Sequence, residues 1–142
     1  MFQIDPLSRT PVYEQIIDQA EKLISAGVLA PGDQMPSVRS LSLRLSVNPN
    51  TIQRSYGMLD SMGLIVSVPG RGCFVSDAAP VVLLSKNKKR LSQISALAAE
   101  LHSAGIDAES ILDAVREGIS AEGTAAKDGG TNSNTERKNS ND

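Results

Sequence analysis

Few side chains in this 142-residue chain can do chemistry, and their placement is uneven. The single histidine, His102, and the single cysteine, Cys73, leave little for nucleophilic or metal-assisted catalysis. One cysteine also excludes an intrachain disulfide and a cysteine-based zinc finger. No enzyme activity, cofactor or metal is therefore expected. A denser set lies mid-chain. Asn48, Asn50, Thr51, Gln53 and Arg54 fall within seven residues, with Ser37 and Arg39 before them and Arg71 between Gly70 and Gly72 after them. Amide, hydroxyl and guanidinium groups exchange hydrogen bonds rather than protons. On one helix face they suit the edges of base pairs: Asn or Gln can pair with adenine and Arg with guanine, each good pair giving about 1–3 kcal/mol of discrimination.

Charge is consistent with such a surface. Fourteen Lys and Arg against sixteen Asp and Glu give a net charge of −2, with His102 neutral. Residues 1–33 carry two cations against five anions, whereas residues 34–72 carry Arg39, Arg44, Arg54 and Arg71 against Asp60 alone. A nucleic-acid surface needs only its local patch to be positive. Aromatics are 3% of the chain (Phe2, Tyr13, Tyr56 and Phe74), so the core must be aliphatic. No apolar run approaches the roughly 18 residues that span a bilayer, and the N-terminus is not basic-then-apolar. A soluble cytoplasmic protein with no membrane partner is expected.

The elements that must carry these residues follow from caps and periodicity. Thr10-Pro11 reads as a helix start, Thr10 as N-cap and Pro11 as the first helical residue. Val12, Ile16, Ala20, Leu23 and Ile24 recur at helical spacing up to Gly27. Pro31-Gly32-Asp33 is a turn. Ser37 caps a short second helix with Val38, Leu41 and Leu45 inward. Only Ser46 and Val47 separate it from Asn48-Pro49, again cap and first helical residue, opening a third helix with Ile52, Tyr56, Leu59 and Met62 on its apolar face. Leu64 to Val68 and Cys73 to Val75 flank Pro69-Gly70-Arg71-Gly72 as a hairpin with Arg71 at its tip. An isolated hairpin is barely stable, so some of Leu64, Val66, Val68 and Phe74 must pack on the helices. Helix, helix-turn-helix, hairpin is the order of a winged helix.

Asp77-Ala78-Ala79-Pro80 reads as a linker. Leu91, Ile94, Leu97, Ala98 and Leu101 then mark one amphipathic helix, and Asp107 caps another with Ile111, Leu112, Val115 and Ile119 on one face. From about Ser120 periodicity is lost and disorder is expected. The expected fold is α+β and mostly helical. A winged helix-turn-helix covers 8–77, a linker 78–86, a two-helix dimerisation region 87–119 and a disordered tail 120–142.

The stretch from about 8 to 77 resembles the GntR family of bacterial transcription repressors. The match runs from Pro11-Val12-Tyr13-Glu14-Gln15-Ile16 through Leu29-Ala30-Pro31-Gly32-Asp33-Gln34-Met35-Pro36-Ser37-Val38-Arg39, Val47-Asn48-Pro49-Asn50-Thr51-Ile52-Gln53-Arg54-Ser55-Tyr56 and Gly63-Leu64-Ile65 to Pro69-Gly70-Arg71-Gly72-Cys73-Phe74-Val75. The short C-terminal part and the Asn48-Pro49-Asn50-Thr51 helix start resemble the YtrA-type subfamily, since the large sensor or aminotransferase-like domains of other branches have no room after Ala79. The resemblance implies a DNA-binding repressor. It puts the third helix in the major groove, Arg39 at a base or phosphate, and Arg71 at the minor groove or backbone. At the position of Pro49 many relatives carry a basic or polar residue, so the resemblance carries no side-chain contact over to Pro49, which instead prepares the helix start.

Plainer roles stand beside these. Asn48 is a helix cap whatever the helix does, Gly70 and Gly72 serve the turn first, and Arg54 reads equally as a solvated charge. Arg44 is left as one. Ile52, Tyr56 and Leu59 are core. Lys86, Lys88, Lys89 and Arg90 read as a solubilising run ahead of a helix, His102 as exposed, and Cys73 as a small strand residue.

Two amphipathic helices cannot cover their own stripe. Pairing of two copies through Leu91, Ile94, Leu97, Leu101, Ile111, Leu112 and Val115 is therefore expected, with an inverted-repeat DNA operator as the second partner. Any small-molecule effector would sit at the dimer interface or between the C-terminal helices and the DNA-binding part. The competing reading is a winged-helix module for protein interaction or RNA binding, because fold alone does not fix function.

Overall fold

The computed structural model describes residues 1–128. Helix α1 (Val12–Ser25) buries Ile16, Ile17, Ala20 and Ile24. It starts one residue later than Thr10-Pro11 suggests: Pro11 is the cap position and no side chain caps it. Gln15 ties the start down instead. Its Nε2 donates to the Thr10 carbonyl at 2.9 Å and its Oε1 accepts the Asp5 N–H at 2.9 Å. Gln19 holds the backbone of Gln3 in the same two-way fashion. With Phe2 buried, the folded unit begins upstream of residue 8, where the sequence had shown no periodic signal.

Helix α2 (Val38–Leu45) is capped by Ser37, whose Oγ accepts the Ser40 N–H at 3.0 Å. The turn passes through Ser46 in the left-handed region, φ 54°. The Ser42 Oγ donates to the Val47 carbonyl at 2.5 Å and fixes the turn's width. Helix α3 (Pro49–Ser61) follows, capped by Asn48, and buries Ile52, Ser55, Tyr56 and Leu59 against α1 and α2.

Strands β1 (Ile65–Val68) and β2 (Gly72–Val75) pair antiparallel with Ile65 opposite Val75 and Val68 opposite Gly72. The hairpin packs through Leu64, Ile65 and Val75, not through the Val66 and Phe74 pair: Val66 is 48% exposed and Phe74 half-buried. Strand alternation explains the difference, since the Ile65–Val75 pair faces the helices and the next pair faces away. The free edge of β2 is covered by residues 32–35, where Met35 N–H donates to the Cys73 carbonyl at 2.8 Å and Val75 N–H to the Asp33 carbonyl at 2.8 Å.

Helix α4 (Ala79–Ser103) occupies the expected linker at 78–86. Pro80 lies in its first turn, where a missing N–H breaks no intrahelical bond. Ala79 and Leu83 are buried in the winged-helix core. The basic run is therefore inside a helix. Lys86 donates to Glu21 Oε1 at 2.6 Å, and the Glu21 side chain is 11% exposed. The chain forms two compact units, Met1–Arg90 and Leu91 onward.

In the second unit, Asp107 opens α5 (Ala108–Asp128) by accepting the Ser110 hydroxyl at 2.6 Å and the Ser110 N–H at 3.3 Å. Those two bonds hold its carboxyl below the ordinary carboxylate range. The tail expected from Ser120 is helical as far as Asp128, the rest of that expectation lying outside the described residues. No helix among the described residues is long and apolar enough to cross a membrane.

Candidate nucleic-acid interface

The third helix separates its two faces cleanly. Ser55, fully buried, shares its one hydroxyl proton between the Tyr13 carbonyl at 3.0 Å and the Thr51 carbonyl at 3.1 Å, pinning α3 to α1. Tyr56 donates its phenol proton to the Pro36 carbonyl at 2.7 Å and so ties α3 to the lead-in of α2. Burial pushes that phenol well above its ordinary value, the nearby Cys73 adding to the shift and Arg44 opposing it. On the opposite face Asn50, Gln53 and Arg54 are exposed and Thr51 half-buried.

Asn48 and Ser37 are committed to backbone. The Asn48 Oδ1 accepts the Asn50 N–H at 2.8 Å, which leaves its amide NH2 free to donate outward. Arg39 stands exposed in the first turn of α2. Among the described residues, no hydrogen bond or ion pair engages the side chains of Arg39, Asn50, Gln53 or Arg71. Arg39 and Asn50 stand in the first turns of α2 and α3, where the dipole is positive, and such donors suit phosphate oxygens and base edges.

The wing tip is a tight turn closed by the Arg71 N–H on the Val68 carbonyl at 3.0 Å. Pro69 occupies its second position and Gly70 its third, with φ +75°, as a type II turn requires. Gln34 reaches across to donate to the Arg71 carbonyl at 3.0 Å. A Cβ on Gly72 would stand 3.1 Å from that Gln34 nitrogen, so Gly72 makes room for the strut that steadies Arg71.

Three features escaped the sequence. They are the contacts of Gln34, of Lys86, which reads as part of a solubilising run, and of Tyr13. Tyr13 in fact lies under the Arg54 guanidinium, whose carbon is 3.9 Å from the ring centroid. Each contact joins residues far apart in the chain, and no local pattern announces it.

In the second unit, Ile94, Leu97, Leu101, Ile111 and Val115 line an apolar cavity of about 230 Å³ together with Ala98 and Ala114. Leu91 and Leu112 lie outside that lining and are exposed, at 67% and 46%.

Residues 12–75 match the bacterial regulatory proteins, gntR family. The HTH-type transcriptional repressor YtrA of Bacillus subtilis is 39% identical over 123 residues, 86% of this chain and 94% of that protein. Among solved structures, a transcriptional regulator from Oenococcus oeni superposes with a TM-score of 0.64 at 31% identity, covering 82% of this chain and 97% of that one. A GntR family transcriptional regulator from Listeria monocytogenes gives 0.63 at 31% identity, covering 80% and 98%.

Proposed function

The chain belongs to the GntR family of bacterial regulatory proteins, a transcriptional regulator with a DNA-binding winged helix-turn-helix, and on that premise we propose that it is a repressor acting as a homodimer on an inverted-repeat operator. The observation that carries this reading is the exposed polar face of α3, on which the side chains of Asn50 and Gln53 make no hydrogen bond or ion pair among the described residues. Asn50, Gln53 and Arg54 read base edges in the major groove. The α3 N-terminus, with Asn48 and Thr51, receives a phosphate, as does the α2 start at Ser37 and Arg39. Arg71, between Gly70 and Gly72, reaches the adjacent groove or backbone.

Dimerisation is supported by the apolar face of α4 and α5. Leu91, Leu97 and Ile119 are each more than half exposed, and a second copy would cover them along with Ile94, Leu101, Ile111, Leu112 and Val115. Two-fold pairing sets the recognition helices about one duplex turn apart, roughly 34–36 Å. Repression is steric: the bound dimer obstructs the polymerase, in keeping with the repressor among its relatives.

Fluorescence anisotropy with the duplex that the protein selects from a randomised pool tests this. Sequence-dependent binding with two chains per inverted repeat, weakening steeply as salt rises, is expected. Arg39→Ala with Gln53→Ala abolishes it while leaving the dimer folded. Unchanged binding by that double variant refutes the site. Failure to select any duplex favours a protein-interaction role.

A further inference from the structure

Tyr13 lies on α1, outside the helix-turn-helix, yet its ring carries the recognition-helix arginine. The Arg54 carbon is 3.9 Å from the ring centroid, and Arg54 makes no hydrogen bond or ion pair among the described residues. The residue that carries the ring is anchored through its backbone, and among the described residues the hydroxyl meets only its exposed neighbour. The hydroxyl donates to Glu14 Oε1 at 3.0 Å, and the backbone carbonyl of Tyr13 accepts the buried Ser55 hydroxyl at 3.0 Å, from the residue next to Arg54. The α1 and α3 backbones that carry ring and guanidinium are thus joined next to both side chains.

We propose that Tyr13 is a positioning residue for DNA recognition, stacking the Arg54 guanidinium so that its N–H edge is presented to a guanine before DNA arrives. The inference rests on the reading of Arg54 as a base contact. A guanidinium lying over an aromatic face spends none of its five N–H donors on it, because all five lie in the guanidinium plane. Guanine O6 and N7 need two of those donors in parallel. A free arginine loses its side-chain freedom on binding, and one already stacked loses less.

The test is a double-mutant cycle on the full-length protein and its selected duplex: the parent, Tyr13→Leu, Arg54→Ala and both together, with Tyr13→Phe as the conservative variant. An exposed cation–π contact corresponds to roughly 2- to 5-fold per half-site, so Tyr13→Leu is expected to weaken a two-half-site complex by about 5- to 30-fold. Tyr13→Phe keeps the ring and stays within about twofold of the parent. In the Arg54→Ala background Tyr13→Leu adds nothing. Guanine discrimination at one position in each half-site falls in Tyr13→Leu and vanishes in Arg54→Ala, while the salt slope of Tyr13→Leu is unchanged because no charge is removed.

If Arg54→Ala binds like the parent, the base-contact reading fails. If Arg54→Ala weakens binding but Tyr13→Leu does not, tightens it, or weakens it equally without Arg54, the positioning role is overturned. The last outcome also exposes a variant that is merely misfolded, since such a defect does not depend on Arg54.

Discussion

Removing the ammonium of Lys86 should destabilise the first unit far more than an ordinary surface lysine would. The Glu21 side chain is 11% exposed and that of Lys86 37%, at 2.6 Å. Exposed pairs contribute about 0–1 kcal/mol, whereas stranding one partner of a fully buried pair costs about 3–5 kcal/mol. With one partner nearly buried and the other a third exposed, Lys86→Met is expected to cost about 1.5–3 kcal/mol. Methionine preserves the aliphatic stem, so the loss reports the charge and not the packing. The double variant Glu21→Met with Lys86→Met should recover to within about 1 kcal/mol of the parent, because neither charge is then stranded. Urea denaturation followed by circular dichroism measures both. The Lys86→Met loss should persist in about 0.5 M salt, which screens exposed pairs much more than sheltered ones. A Lys86→Met protein within about 0.5 kcal/mol of the parent, or a double variant as unstable as the two singles summed, would refute the reasoning.

Four further outcomes are expected. Gly72→Ala, at φ +114° and against Gln34 Nε2, should cost about 1–3 kcal/mol in thermal melts, more than Gly70→Ala, whose Cβ would meet open space. Tyr56→Phe strands the Pro36 carbonyl and should cost about 1–2 kcal/mol. The raised Tyr56 phenol stabilises the fold fully below its ordinary value near 10 and progressively less as pH climbs above it, since the unfolded chain releases that proton first. Tyr56→Phe should therefore lose less stability than the parent in alkaline denaturation. The lowered Asp107 carboxyl works in the opposite sense: its contribution to α5 is present above the ordinary carboxylate value and disappears as pH falls through the folded one. An acid titration of helicity by circular dichroism should show a step that Asp107→Asn lacks.

What the sequence made legible was local chemistry. Ser37, Asn48-Pro49 and Asp107 announce helix starts because a side chain satisfies an N–H two or three residues away, a distance a reader can count. Gly70 announces its turn because L side chains avoid that backbone region. Pro80 misled for the same local reason: after Asp77-Ala78-Ala79 it reads as a break, yet a proline in the first helical turn obstructs nothing. Other contacts were beyond reach. Lys86 meets Glu21 across 65 residues, Gln34 meets Arg71 across 37, and Arg54 covers Tyr13 only after α1 and α3 have docked. A charge, an amide and an aromatic ring look the same in sequence whether or not a distant partner awaits them.

The wing divides into a base and a tip that are secured by different means. Below Gly72 the hairpin is sewn on its outer edge to residues 32–35 and through Ser76 to the end of α3. Above it, the backbone of Pro69, Gly70 and Arg71 is held by one turn bond and the Gln34 amide. Changes confined to the tip therefore leave the stitched base intact. Natural variation has an inexpensive place to act: residues can be exchanged or inserted there, and a new groove preference tried out, without first repairing the scaffold that carries it.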